Sequence, residues 1–207
     1  MKSKEPSSDS AVADSYIELI TEFGPMRVAH IEEGLKEGLL IIGREPLGDP
    51  VPVRVQSSCV FSEALRSVDC DCADQLQESL RIAATEGGIV VYLYEEGRGT
   101  GLRKKIEAIK LQQELNLDTA EAFDRLGLPS DPRTFEVAAK VIERILNKDQ
   151  RIALLTNNSL KVEALRSMGF TKVSRRRLVV ERGPLVKKYL QEKARALGHL
   201  IDDDDDV

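Results

Sequence analysis

The sequence predicts an α/β (α+β) fold, a mixed sheet flanked by helices, on three observations. Strand-like segments come first, and an alternation of strand and helix follows. Two short segments, Ile89–Tyr94 and Arg151–Leu155, are nearly all apolar, as strands buried on both faces are. Each runs into a polar stretch, EEGRGTG after the first and TNN after the second, and ligands of α/β sheets bind at such strand ends.

The elements follow in order. Tyr16–Phe23 alternates like a strand, and Met26–Ile31 reads as its return. Leu39–Gly43 and Val51–Ser57 are rich in valine and isoleucine and read as further strands. Asp71 or Asp74 starts a helix that carries Leu76, Leu80 and Ala83 and stops at Gly87-Gly88. After the strand Ile89–Tyr94 and its glycine loop, Leu102–Leu115 reads as a helix. Thr134–Leu146 is another, with Thr134 or Asp131 near its cap. Arg151–Leu155 is the second buried strand, and Ser159–Met168 is a helix closed by Gly169. Val173–Val180 is a strand and Leu185–Leu197 a last helix. Residues 1–14 read as a disordered tail and 201–207 as an acidic one. That leaves 15–200 as a single catalytic domain.

Composition narrows the function. The net charge is -5, and Asp202 to Asp206 alone supply five of the acids, so the body is near neutral. A basic footprint for duplex nucleic acid is missing. There is no tryptophan and only 4% aromatic residues, a poor base-stacking platform. No apolar run approaches the roughly 20 residues of a membrane span. The start, MKSKEPSSDS, lacks the apolar region of a signal peptide. A cytoplasmic protein without nucleic-acid or membrane partners is expected.

All three cysteines, Cys59, Cys70 and Cys72, fall within fourteen residues. A reducing compartment and an odd count argue against disulfides. Thiolates suit zinc. A structural zinc normally takes four protein ligands, and here a fourth cysteine does not exist. Three ligands with an open fourth position are the mark of a catalytic zinc, which activates bound water near neutral pH. The alternative is that these are small buried apolar side chains.

The loop Glu95-Glu96-Gly97-Arg98-Gly99-Thr100-Gly101 precedes a helix, where backbone N–H groups can cradle an anion. Arg98 can fork onto phosphate oxygens, and Glu96 can accept from a base edge or hold a metal. The loop matches neither Gly-x-Gly-x-x-Gly nor the Walker pattern, and a tight turn is the alternative. Asp131 and Arg133 can share a site, or act as a helix cap and a solvated charge. Thr156, Asn157 and Asn158 end a buried strand, and Lys161 lies one helical turn on, within reach of a phosphate. Helix capping is the alternative there.

Taken in order, RVQSSC, CDCADQL, YEEGRGTGL, LDTAEA, LPSDPR and LLTNN resemble GTP cyclohydrolase II. The similarity runs from about Arg54 to Lys161 and weakens beyond. It implies a two-layer α/β enzyme, homodimeric, with one zinc ion per subunit and magnesium on the substrate phosphates. Its substrate would be GTP or a related purine nucleotide. Members of the family open the imidazole ring, release C8 as formate and release pyrophosphate. The product is a diaminopyrimidine ribotide, a riboflavin precursor. By the same resemblance Cys59, Cys70 and Cys72 fall on the zinc ligands. Arg54, Gln75, Glu96, Gly97, Arg98, Thr119, Thr156 and Lys161 fall on nucleotide-contacting positions. Asp131 falls on the proton acceptor, and Arg133 on the nucleophile toward the α-phosphorus. Guanidinium stays protonated, so Asp131 would have to assist. Electrostatic stabilisation by Arg133 is the simpler role.

The chain also departs from the family pattern. A histidine is replaced by Gln56 and a glutamate by Ser58 in RVQSSC; Asp69 and Ala73 flank the CDC pair in place of arginine and glycine. Ile109 stands for a tyrosine, Phe123 for an asparagine and Ser159 for a proline. Isoleucine cannot hydrogen-bond, so ring opening without loss of the formyl group is one expectation. A paralogue of secondary metabolism acting on another purine nucleotide is a second. A non-catalytic nucleotide-binding zinc module is a third.

Overall fold

The computed structural model describes residues 16–129 and 133–178. The expected final helix, both tails, Asp131 and the end of the last expected strand lie outside the described residues. Among the described residues, seven strands form one mixed sheet in the order β1-β2-β3-β5-β4-β6-β7. They are β1 (Ile17–Thr21), β2 (Gly24–Glu33), β3 (Lys36–Ile42), β4 (Val51–Ser57), β5 (Ile89–Leu93), β6 (Ile152–Leu155) and β7 (Val173–Arg176). β1, β2, β3 and β5 pair antiparallel. β5, β4, β6 and β7 pair parallel.

The apolar runs end up where their composition requires. In β4 six consecutive residues are buried, and in β6 all four are, as befits parallel strands covered on both faces. β2 instead alternates. Ala29 and Ile31 join one core cluster, while Met26 and Val28 join the other. The first cluster meets Phe135, Ile142, Val162 and Leu165 from α5 (Glu136–Glu143), its N-cap and α6 (Ser159–Ser167). The second packs against Leu76, Leu80 and Ala83 of α2 (Cys72–Glu86). Helices therefore cover both faces, not the single face of a two-layer arrangement.

α2 stops where the sequence places its stop. Gly87 adopts φ +75° and its N–H returns to Ala83 O. The helix lies so close to the end of β3 that a Cβ on Gly43 would sit 2.1 Å from Ala83 O. The expected helix Thr134–Leu146 is shorter: Phe135, 4% exposed, occupies the N-cap position and buries its ring in the core. Two helices go beyond the sequence reading, α1 (Val60–Glu63) and α4 (Thr119–Arg125). α4 carries a capping box between Asp118 and Glu121 and packs through Ala122 and Phe123 on Ala108 of α3 (Leu102–Leu115).

Candidate functional site

Parallel pairing brings the C-terminal ends of β4, β5, β6 and β7 to one edge of the sheet. A cavity of about 470 Å³ opens there, a size suited to a small-molecule ligand. It draws residues from the cysteine segments, the glycine loop, α3, α4 and the turn between β6 and α6. Arg54, Arg98, Lys105, Arg133 and Lys161 line it, against the acids Asp69 and Glu95. That excess of cations suits a polyanionic ligand.

The three cysteines converge at this cavity. Cys59 is the N-cap of α1, and Cys72 opens α2. Their sulfur atoms and that of Cys70 all lie within 4.8 Å of one another. Cys59 Sγ and Cys70 Sγ are 3.8 Å apart. Tetrahedral zinc with Zn–S bonds of about 2.3 Å requires sulfurs roughly 3.8 Å apart, so the donor set fits the ion. Cys59 is held well below the usual thiol range, first by its neighbours Cys70 and Cys72 and also by the Lys105 ammonium. Cys70 is pushed up, chiefly by the same bond to Cys59. Close-packed thiols that share protons in this way readily exchange them for a cation.

Lys105 completes the surroundings of Cys59. Its Nζ lies 3.2 Å from the sulfur, 2.9 Å from Glu96 Oε2 and 4.6 Å from the centre of the Phe61 ring. Burial pulls the ammonium down, but Glu96 and Cys59 outweigh it and the net shift is upward. Glu96 also accepts from the backbone N–H of Val60, so both of its oxygens are committed to fixing the loop.

The loop itself makes a 3₁₀ turn over Glu96–Gly99, with Gly97 and Arg98 both left-handed at φ +58° and +57°. A Cβ on Gly97 would approach both Lys105 Cβ and Thr100 Oγ1 to 3.1 Å. Arg98 has a Cβ and still holds this sparsely populated conformation, a feature common at functional sites. Its guanidinium sits 5.4 Å from the Phe123 ring centre. Thr119 opens α4 and accepts from Gln112 Nε2 at 3.1 Å.

Beneath the cysteines lies a buried polar network. Arg54, 5% exposed, donates to Gln56 Oε1 from Nε and Nη2, to Gln75 Oε1 from Nη2 and to Leu155 O from Nη1. Burial lowers the guanidinium to about 10, opposed by the charges of Asp71 and Cys72. It stays cationic at neutral pH. Gln75 passes the chain on to Asp71, donating from Nε2 at 2.6 Å.

Thr156, Asn157, Asn158 and Lys161 gather at the start of α6. Asn158 caps the helix by accepting from Leu160 N at 2.9 Å, and Thr156 Oγ1 accepts from Asn158 N at 3.0 Å. Lys161 is buried, donates to Val55 O at 2.8 Å and lies 5.2 Å from the Phe135 ring centre. Arg133 Nη1 donates to Ser57 Oγ at 3.3 Å and its guanidinium lies 5.4 Å from the same ring centre. A helix N-terminus with two adjacent cations is a fitting anion site. Asp131 lies outside the described residues.

Sequence reasoning missed Lys105, Glu63 and Tyr92. Glu63 accepts from Cys59 N, Gln56 Nε2 and Tyr92 OH. Burial and then this carboxylate push the Tyr92 phenol far above its ordinary range. No local signal marks these side chains, because the contacts join residues up to 46 apart in the chain.

The comparisons with known proteins agree with this geometry. Residues 14–177 match the family model of GTP cyclohydrolase II. A GTP cyclohydrolase-2 of Campylobacter hominis is 41% identical over 186 residues, covering 89% of this chain and 93% of that protein. One from Neisseria meningitidis serogroup B is 42% identical over 186 residues, covering 88% and 93%. The riboflavin biosynthesis protein RibBA of Thermotoga maritima is 40% identical over 187 residues, 89% of this chain and 47% of its own length.

Proposed function

The chain belongs to the GTP cyclohydrolase II family and is an enzyme of that hydrolase family, and from that premise we propose that it opens the imidazole ring of GTP. Formate and pyrophosphate leave, and a diaminopyrimidine ribotide for riboflavin biosynthesis remains. The convergence of Cys59, Cys70 and Cys72 at a cation-lined cavity carries the reading. Residues 15–200 form one catalytic domain, working as a cytoplasmic homodimer on the magnesium complex of the nucleotide. Among the described residues, no helix is long and apolar enough to cross a membrane.

Cys59, Cys70 and Cys72 hold one zinc ion per subunit. When bound, it supplies a Lewis-acidic position that activates water near neutral pH. The protein does the rest. Lys105 lies against Cys59 and reduces the anionic charge of three thiolates. Thr156, Lys161 and the α6 N-terminus bind the triphosphate, with Arg98 and Thr119 on the nucleoside. Glu96 and Gly97 shape the loop that presents Arg98. Arg133 stabilises charge at the α-phosphorus, with Asp131 accepting a proton. Arg54 and Gln75 act from below, through the network that carries the cysteines.

Ile109 favours a second reading. It lines the cavity beside Ala108 and Phe123 and can neither donate nor accept a hydrogen bond. A step that needs an oriented water is weakened there, so the ring opens while the formyl group stays on the product.

Replacing Cys70 with serine tests the metal assignment. A catalytic site gives a folded protein with less than one zinc per chain and turnover lost. Unfolding of the variant would instead mark the zinc as structural.

A further inference from the structure

We infer that Gln56 is a positioning residue whose side-chain amide locks both cysteine-bearing segments to Arg54. The inference rests on the reading of the three cysteines as a metal site.

Gln56 ends in a donor and an acceptor, and its surroundings demand both. On one side stands the Arg54 guanidinium, which can only donate, and Gln56 Oε1 accepts from its Nε at 3.0 Å and its Nη2 at 2.7 Å. On the other side stand two acceptors. Nε2 donates to Glu63 Oε1 at 3.1 Å and to the backbone carbonyl of Cys72 at 3.3 Å. The opposite amide orientation would set donor against donor and acceptor against acceptor, so the network fixes it.

From there the bonds reach each ligand segment. Glu63 Oε2 accepts the backbone N–H of Cys59 at 3.3 Å. Arg54 holds Gln75, and Gln75 holds Asp71, which stands between Cys70 and Cys72. Gln56 is 2% exposed, Arg54 5% and Asp71 0%, so a lost bond leaves a buried polar group short of a partner. Ties that bypass Gln56 remain: Arg54 reaches Asp71 through Gln75, and Ser62 Oγ accepts from Ala73 N at 3.0 Å. Removing the amide therefore loosens the site without dissolving it. Removing outer partners of metal ligands costs about 10–100-fold in metal affinity, and that is the effect assigned to Gln56.

The test compares wild type with Gln56→Met, which keeps length and volume but no hydrogen-bonding amide, and Gln56→Glu. The glutamate keeps the Arg54 bonds and turns an acceptor toward Glu63 and Cys72 O. Zinc affinity is read by competition with a chromophoric chelator, and cobalt(II) reports thiolate geometry through its absorption bands. Both variants should bind zinc about 10–100-fold more weakly and show shifted thiolate-to-cobalt bands, with the far-ultraviolet circular dichroism of wild type. Wild-type affinity and an unchanged cobalt spectrum in a folded variant would overturn the role of Gln56. If the methionine variant fails to fold, the isosteric glutamate variant decides on the same two readouts. A wild-type protein that binds no zinc would overturn the metal site itself, and the inference with it.

Discussion

Replacing Arg54 with lysine keeps the positive charge and removes the guanidinium fork. In the native protein that fork serves three acceptors, Gln56 Oε1, Gln75 Oε1 and Leu155 O, through contacts of 2.6–3.0 Å. A lysine ammonium has one nitrogen and cannot span three acceptors on different sides. One or two buried acceptors are left unpaired, at about 1–3 kcal/mol each. Taking about 2 kcal/mol, the middle of that range, for each acceptor, the expected loss is about 2–4 kcal/mol. With a urea slope of about 2 kcal/mol/M, the unfolding midpoint falls by roughly 1–2 M. The chain has no tryptophan, so circular dichroism is the natural probe, with zinc saturating. If Arg54 works through the cysteine segments, zinc affinity falls and KM for GTP changes little in the zinc-loaded fraction. A variant with wild-type stability and a KM raised tenfold or more would refute this. It would place the guanidinium on the nucleotide, where the family resemblance alone would put it.

Ile109→Tyr should raise the ratio of formate to ring-opened product, measured by coupled formate assay and product mass; an unchanged ratio contradicts the second reading of the cavity. The pair between Arg176 and Glu86 ties β7 to α2 through contacts of 2.6 and 2.9 Å. Arg176 holds the Glu86 carboxyl below its ordinary range against a smaller effect of burial, so the stabilisation is present above that range and fades as pH falls through the depressed value. Both partners are about 40% exposed, and screening limits the pair to about 0.5 kcal/mol. Glu86→Gln should cost that much at pH 7 and nothing at strongly acidic pH, read from urea midpoints.

Much of the fold was legible because its signals are local. The apolar runs of β5 and β6, the glycine stop of α2 and the glycine loop that opens α3 each stand in a few consecutive residues. α4 was missed although Asp118 and Glu121 form a capping box, because seven residues carry too little periodicity to announce a helix. Which helix covers which face was not legible either: it depends on which of two alternating sets in β2 meets which helix. At the site, the cysteines announce themselves by residue type and spacing. Gln56 reads as a mere departure from pattern, since its use as a two-sided amide depends on Arg54 and Glu63 closing from opposite sides. Lys105 is one of thirty lysines and arginines in the sequence, and only folding places it against Cys59.

The convergence of the three cysteines at the end of a parallel sheet, facing a cavity rich in cations, is the feature from which the function follows. Incubating the zinc-loaded protein with magnesium and GTP, and following formate, pyrophosphate and product mass together, tests it most directly. Zinc-dependent opening of the imidazole ring with release of pyrophosphate is expected, abolished by Cys70→Ser. GTP recovered intact from a protein that carries one zinc per chain would contradict it.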